Sequence, residues 1–198
     1  MDIAAAERGI ETFLRALGYD LDDPELSGTP ARVAEAYSSD LLAGEGVDLD
    51  VLVHEGSAPL SAPVGLVVVR GLAITTVCPH HLLPALGTAA IGYLPGERLL
   101  GLGTFARLVD AASRRLTLQE GIGDRVVSAL MNRAGALGAF CQIELLHGCL
   151  AARGPRRPEA RMMTLARAGV LEDAAALIAA LGTPSSFELG DQPTATER

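Results

Sequence analysis

The sequence predicts an α+β fold in which two helices precede a core running strand, strand, helix, helix, strand, strand. Three features of the chain predict it. Apolar residues recur at helical spacing in the first forty positions. At Val64 the composition shifts to runs rich in Val, Ile and Thr, the residues that suit a pleated, half-buried surface. Two later helical segments stand side by side between pairs of strands, which gives the core order ββααββ.

Ile10, Phe13, Leu14 and Leu17 fall at i, i+3, i+4 and i+7, so residues 3–18 read as an amphipathic helix stopped by Gly18. Residues 21–28 are acidic, contain Pro24 and read as a linker. Thr29-Pro30 is expected to be the N-cap and first position of a second helix, with Val33, Ala36, Tyr37 and Leu41 as its buried stripe. Residues 44–63 show no period and read as loop, with a short strand over 51–54 as an option. Residues 64–77 read as a strand bent or bulged at Gly71. Residues 86–94 form the next strand, closed by the turn Pro95-Gly96. Helices follow over 104–116 (Phe105, Leu108, Val109, Ala112) and 122–133 (Ile122, Val126, Ala129, Leu130), the second ended by Gly135. Residues 138–150 and 161–168 are the last two strands. A final helix over 171–181 and a polar tail over 182–198 complete the chain. The division expected is a helical extension over 1–45, a core domain over 46–181 and a tail over 182–198.

A chain of 198 residues is long enough for one sizeable core. No stretch approaches the ~18 uninterrupted apolar residues of a membrane span, and the charged N-terminus does not read as a signal or transit peptide. Three cysteines without disulfide spacing suit a reducing compartment, so the expectation is cytoplasmic. A net charge of −8 argues against a nucleic-acid binder with a broad basic surface. All 16 basic residues are arginine, which excludes lysine chemistry. Any phosphate must be held by arginine forks, backbone amides or helix N-termini.

Two of the three Cys and three of the four His lie in two short motifs, Cys78-Pro79-His80-His81 and His147-Gly148-Cys149. Thiolate and imidazole are preferred zinc ligands, and three of them leave a fourth position open, the arrangement of a hydrolytic zinc enzyme. If residues 138–150 are one strand, His147 and Cys149 project from the same face. Cys141 shares that face but lies roughly 20 Å from His147 along an extended strand, so it reads as a core residue. Spacing admits both an open catalytic site and a closed structural one made of Cys78, His81, His147 and Cys149. His80, beside a ligand and without structural duty, favours catalysis.

Further motifs are collinear with these: Thr29-Pro30-Ala31-Arg32-Val33-Ala34, Cys78 to Pro84, Gly92-Tyr93-Leu94-Pro95, Gly101-Leu102, Ala106 to Asp110, Arg114-Arg115, Gln119-Glu120, and His147-Gly148-Cys149 with Arg153-Gly154. Together they resemble the GTP cyclohydrolase I family over residues 29–170. The resemblance implies the tunnelling fold, ββααββ subunits closing into a toroidal homo-oligomer near ten subunits, with active sites between chains. It implies zinc on Cys78, His81 and Cys149, with His80 and His147 moving protons. It assigns Gln119 and Glu120 to base recognition, a carboxylate accepting from the adjacent N1–H and N2–H₂ of guanine. Arg107, Arg153, Arg32 and Thr104, the last at a helix N-terminus, would face the phosphates. The reaction implied is opening of the GTP imidazole ring at C8, with release of formate and formation of dihydroneopterin triphosphate.

Departures fall on the phosphate side. The family places Glu where Pro79 stands, Ser-Lys where Gly103-Thr104 stand, and Arg where Gly121 stands. A missing charge-assisted contact costs about 1.5–3 kcal/mol. Two alternatives to GTP turnover therefore stand. One is a zinc hydrolase of this fold acting on another purine or pterin-like compound with fewer phosphates. The other is a silent ring-forming binding subunit, against which the retained His80 and His147 weigh.

Overall fold

The structure is a computed structural model, and it describes residues 1–173. Its centre is a four-stranded antiparallel sheet in the order β2-β3-β5-β6. The strands are β2 (Val67–Val77), β3 (Pro84–Leu94), β5 (Gly138–His147) and β6 (Met162–Gly169). One face is covered by α4 (Leu102–Ser113) and α5 (Gln119–Arg133). Alternate residues of the sheet meet every third or fourth residue of the helices. Ala89, Ile91 and Tyr93 of β3 and Cys141, Ile143 and Leu145 of β5 pack with Phe105, Leu108, Ile122, Val126 and Leu130. Fully burying one such large apolar side chain contributes about 1.5–3 kcal/mol.

The strand and helix order matches the ββααββ expectation, with boundaries shifted by up to three residues. The bulge sits where it was expected. The β2–β3 register slips between Val69 and Leu72, and Gly71 there takes φ +71°, a conformation that disfavours side chains with a Cβ.

Four expectations need correction. Residues 44–63 are not loop with a strand: Leu49–Glu55 is a helix, α3, capped by the Asp48 carboxylate, which accepts from the N–H groups of Asp50 and Val51. Its Val53 is fully buried in the core, and a single buried turn is too short to show a period. Beyond it, Ser57–Pro59 (β1) pairs with Arg98–Leu100 (β4) as a small second sheet. Arg98 pins this unit to α3, donating to the Ser57 hydroxyl at 2.8 Å and to the His54 carbonyl at 3.1 Å.

The first helix, α1 (Ile3–Ala16), is as expected, but α2 (Thr29–Glu35) is capped at Gly28 and has Thr29 inside it. The chain then widens into a π-helix over Ala36–Leu41, none of whose residues is buried, so the predicted stripe is interrupted. Finally, β5 stops at His147, and Gly148–Ala151 is a helical turn, α6. His147 and Cys149 are therefore not alternate residues of one strand. A 3-10 turn over Val170–Glu172 follows β6. The rest of the predicted last helix and the tail lie outside the described residues. No helix among the described residues is long and apolar enough to cross a membrane.

Candidate metal centre and active site

The antiparallel register builds the site. Val77 of β2 pairs with Pro84 of β3, so residues 78–83 form the turn between them. Two backbone bonds of 2.9 Å close it, Cys78 N–H to Leu83 O and Leu82 N–H to Cys78 O. Leu82 takes φ +53°, costly for a branched side chain. The Tyr37 hydroxyl, carried by the π-helix, donates to the Leu82 carbonyl and holds the strained residue in place. Within the turn the Cys78 sulfur lies 3.7 Å from His81 Nδ1, and the His80 ring stands edge-on to His81.

The third arm arrives from β5. Ala85 pairs with His147, which sets the end of β5 beside the turn. The chain then passes so close to β3 that a Cβ on Gly148 would lie 2.7 Å from the Pro84 carbonyl oxygen. Only glycine fits there, and the approach delivers Cys149. Ligand atoms of Cys78, His81 and Cys149 all lie within 4.8 Å of one another. Ligand atoms of a tetrahedral metal are separated by roughly 3.5–4 Å, so small side-chain rotations close the site on an ion. Two sulfurs and one imidazole form a soft-to-borderline donor set with one position left over. Burial raises the pKa of the Cys149 thiol, and the neighbouring Cys78 adds to the rise while Arg153 opposes it. A bound dication would oppose that rise and favour the Cys149 thiolate.

His147 is not among the converging ligands. Its Nε2 lies 2.8 Å from Oε1 of Gln119, the first residue of α5, which is 2% exposed. Burial lowers the His147 pKa, and the carboxylate of Glu120 partly offsets this. Glu120 itself is exposed in the first turn of α5. The adjacent residues Gln119 and Glu120 thus point apart, one into the fold and one to solvent.

The predicted phosphate-side residues are spread more widely. Arg153 is exposed after α6, near enough to Cys149 to act on its charge. Arg107 and Thr104 line a cavity of about 600 Å³ with Gly56, Gly101 and Gly103. Its lining includes none of Cys78, His81, His147 and Cys149. Thr104 is 2% exposed and its hydroxyl donates to the Gly56 carbonyl at 2.7 Å. Arg32 donates to the Glu25 carbonyl and to the Thr29 hydroxyl at the start of α2. Beside Gly121, the space a side chain would enter is bordered by the Arg125 guanidinium, 3.4 Å from a Cβ placed there. Within one chain, then, the metal group, His80, His147, Gln119 and Glu120 belong to one end of the sheet, and Arg107 and Thr104 to another cavity.

Residue patterns pointed to neither Tyr37 as the brace of the metal turn nor Thr164 as a partner of Gln119. Both act across long sequence separations, 45 residues each. Spacing arguments reach only local partners.

A model of one family, GTP cyclohydrolase I, matches residues 6–181. Among curated relatives, the GTP cyclohydrolase 1 of Leifsonia xyli subsp. xyli is 38% identical over 184 residues, covering 91% of this chain and 96% of that protein. The GTP cyclohydrolase 1 of Chromobacterium violaceum is 40% identical over 171 residues, covering 86% and 82%. That of Streptococcus pneumoniae serotype 19F is 34% identical over 172 residues, covering 87% and 92%. Matches of this extent, spanning both motifs of the metal group, show that the chain belongs to the GTP cyclohydrolase I family.

Proposed function

We propose that this protein is a zinc-dependent hydrolase that opens the imidazole ring of GTP at C8, releases formate and forms dihydroneopterin triphosphate. The observation that carries the reading is the convergence of Cys78, His81 and Cys149 beside a His147 whose Nε2 is engaged by Gln119. Zinc held there would supply Lewis acidity and lower the pKa of a water molecule. The protein's own groups do the rest. His147 gives a proton to N7 of the guanine, which makes C8 a better electrophile for water. Glu120 accepts from N1–H and N2–H₂ and rejects adenine, which lacks that donor edge. His80 exchanges protons as the ribose carbons rearrange and close the pterin ring. Arg107, Arg153, Arg32 and the first turn of α4, which contains Thr104, take the phosphates. Because Arg107 lines a cavity apart from the metal group, the complete site draws on a second subunit. The assembly that provides it is a homo-oligomer near ten subunits, in the cytoplasm, with residues 46–181 as the catalytic domain and 1–45 as a helical extension.

A second reading rests on the phosphate side: the Thr104 hydroxyl is already committed to the Gly56 carbonyl, and no lysine stands anywhere in the chain. A purine or pterin-like substrate with fewer phosphates fits that poverty of charge. One assay separates the readings. Zinc-loaded protein is incubated with GTP, GDP and GMP while formate and pterin fluorescence are followed. GTP turnover, lost in His147→Ala with zinc retained and lost in Cys149→Ala together with zinc, is the expected result. Turnover of the shorter nucleotides alone selects the second reading, and no turnover of any defeats the first.

A further inference from the structure

We propose that Gln119 is a positioning residue that holds His147 with its proton on Nε2, so that Nδ1 is the ring nitrogen through which His147 exchanges a proton with the substrate. The inference rests on the reading of His147 as the proton-exchanging group, and it changes the duty of Gln119 from reading the base to orienting the histidine.

Hydrogen-bond bookkeeping fixes the orientation of the amide. Gln119 Nε2 lies 3.1 Å from the Ile143 carbonyl, 2.9 Å from the Met162 carbonyl and 3.2 Å from the Thr164 hydroxyl. Carbonyl oxygens only accept, so the group facing them is the NH₂. Turning the amide over would press Oε1 against two carbonyl oxygens and leave buried acceptors unpaired, a penalty of the kind that settles amide orientation. Oε1 therefore faces His147 Nε2 at 2.8 Å. An amide oxygen has no hydrogen to give, so the hydrogen of this bond belongs to the ring, on Nε2.

The consequence holds in both charge states. In the neutral ring one nitrogen carries hydrogen, and the other, Nδ1, carries the lone pair. In the imidazolium both carry hydrogen, and the one on Nε2 is still committed to Gln119. Among the described residues no group hydrogen-bonds Nδ1. The proton that comes and goes is the one on Nδ1. The same amide ties α5 to β5 and β6 at once, so the ring is oriented by three elements and has little freedom to flip.

This division leaves Glu120 alone to face a ligand. Gln119 is 2% exposed with both amide hydrogens directed at strand acceptors, whereas Glu120 is exposed.

Solid-state ¹⁵N NMR on the zinc-loaded full chain labelled in its histidines tests the proposal directly. There are four histidines, and the difference from His147→Asn assigns the relevant pair of nitrogens. The expected result is a protonated Nε2 and an unprotonated Nδ1 for neutral His147 in the wild type. A protonated Nδ1, or a mixture of tautomers, overturns the proposal. In Gln119→Met, of similar length but unable to accept, His147 should populate both tautomers. The variant should keep its zinc, and kcat for GTP should fall on the order of 100-fold with KM changed little, the scale of a disabled general acid. A raised KM with kcat intact would instead make Gln119 a substrate-reading residue. Should Gln119→Met fail to fold, the wild-type tautomer decides the matter alone. A wild type that turns over no GTP defeats the proposed function and leaves the tautomer measurement standing on its own.

Discussion

The three cysteines differ in burial, and burial decides their chemistry. Cys141 is fully buried among Ile91, Val126 and Ile143, and loss of solvent pushes its thiol pKa up to about 12. Cys78 and Cys149 are only partly buried at the sheet end. In metal-free folded protein a thiol reagent should therefore titrate two thiols promptly and the third only on unfolding. Three fast thiols would mean that the core around Cys141 is open. The same shift has a pH consequence. A thiol whose pKa is raised on folding favours the folded state fully below its ordinary value of 9.0, and that contribution is lost as pH rises through about 12. Denaturant unfolding of wild type and Cys141→Ala from pH 8 to 11 should show the wild-type advantage shrinking above pH 9. A constant difference would contradict the buried neutral thiol.

Among the elements, the turn between β2 and β3 depends on neighbours for its shape. Leu82 keeps a left-handed conformation under the grip of Tyr37, which sits on a π-helical segment, and such segments cluster at functional sites. Tyr37→Phe removes one hydrogen bond worth about 1 kcal/mol, so zinc should be lost to a competing chelator with roughly fivefold lower affinity while the fold stays intact. Unchanged zinc affinity would show that the turn holds itself. At the start of α4, two neighbouring positions respond oppositely to an added cation. Thr104 is enclosed, its hydroxyl on the Gly56 carbonyl, and Gly56 has no room even for a Cβ against it. Thr104→Lys should destabilise the protein by a few kcal/mol, since it places an ammonium where a buried threonine sits. Gly103 opens to solvent with nothing within 4 Å of a Cβ, and it lines the same cavity as Arg107. Gly103→Lys should raise kcat/KM for GTP relative to GMP, and no gain would show that arginines suffice.

For the whole molecule, the sheet poses the largest question. Among the described residues its outer strands β2 and β6 each have one neighbouring strand, β2 adding an isolated bridge from Val77 to Leu116, and the face away from α4 and α5 exposes Leu86, Met163 and Leu165. Open edges beside an apolar face invite further pairing. The occupants expected are further copies of this chain, closing a ring, with Arg107 of one copy completing the metal end of another. Light scattering with mass resolution should report an assembly near ten subunits, and GTP turnover should vanish under dilution that dissociates it. A stable monomer that turns over GTP would remove the need for a shared site.

Periodic and compositional signals stood in the sequence by themselves: the ββααββ order, the bulge at Gly71, the buried Cys141 and the five clustered Cys and His residues. They were legible because a strand or helix that packs on one face must repeat its apolar residues at that element's own period. The resemblance to a family was legible for a related reason, since short collinear motifs survive in linear order. Helix α3 was not legible, because a seven-residue helix held by its Asp48 cap and one core residue, Val53, shows no period. The end of β5 at His147 was not legible either. The break depends on how near Gly148 passes to the Pro84 carbonyl, a contact 64 residues away in sequence. The split between Gln119 and Glu120, Tyr37 against Leu82, and the enclosure of Thr104 have the same origin. Local spacing states which chemical groups the chain owns, and packing between distant segments determines which of them remain free to act.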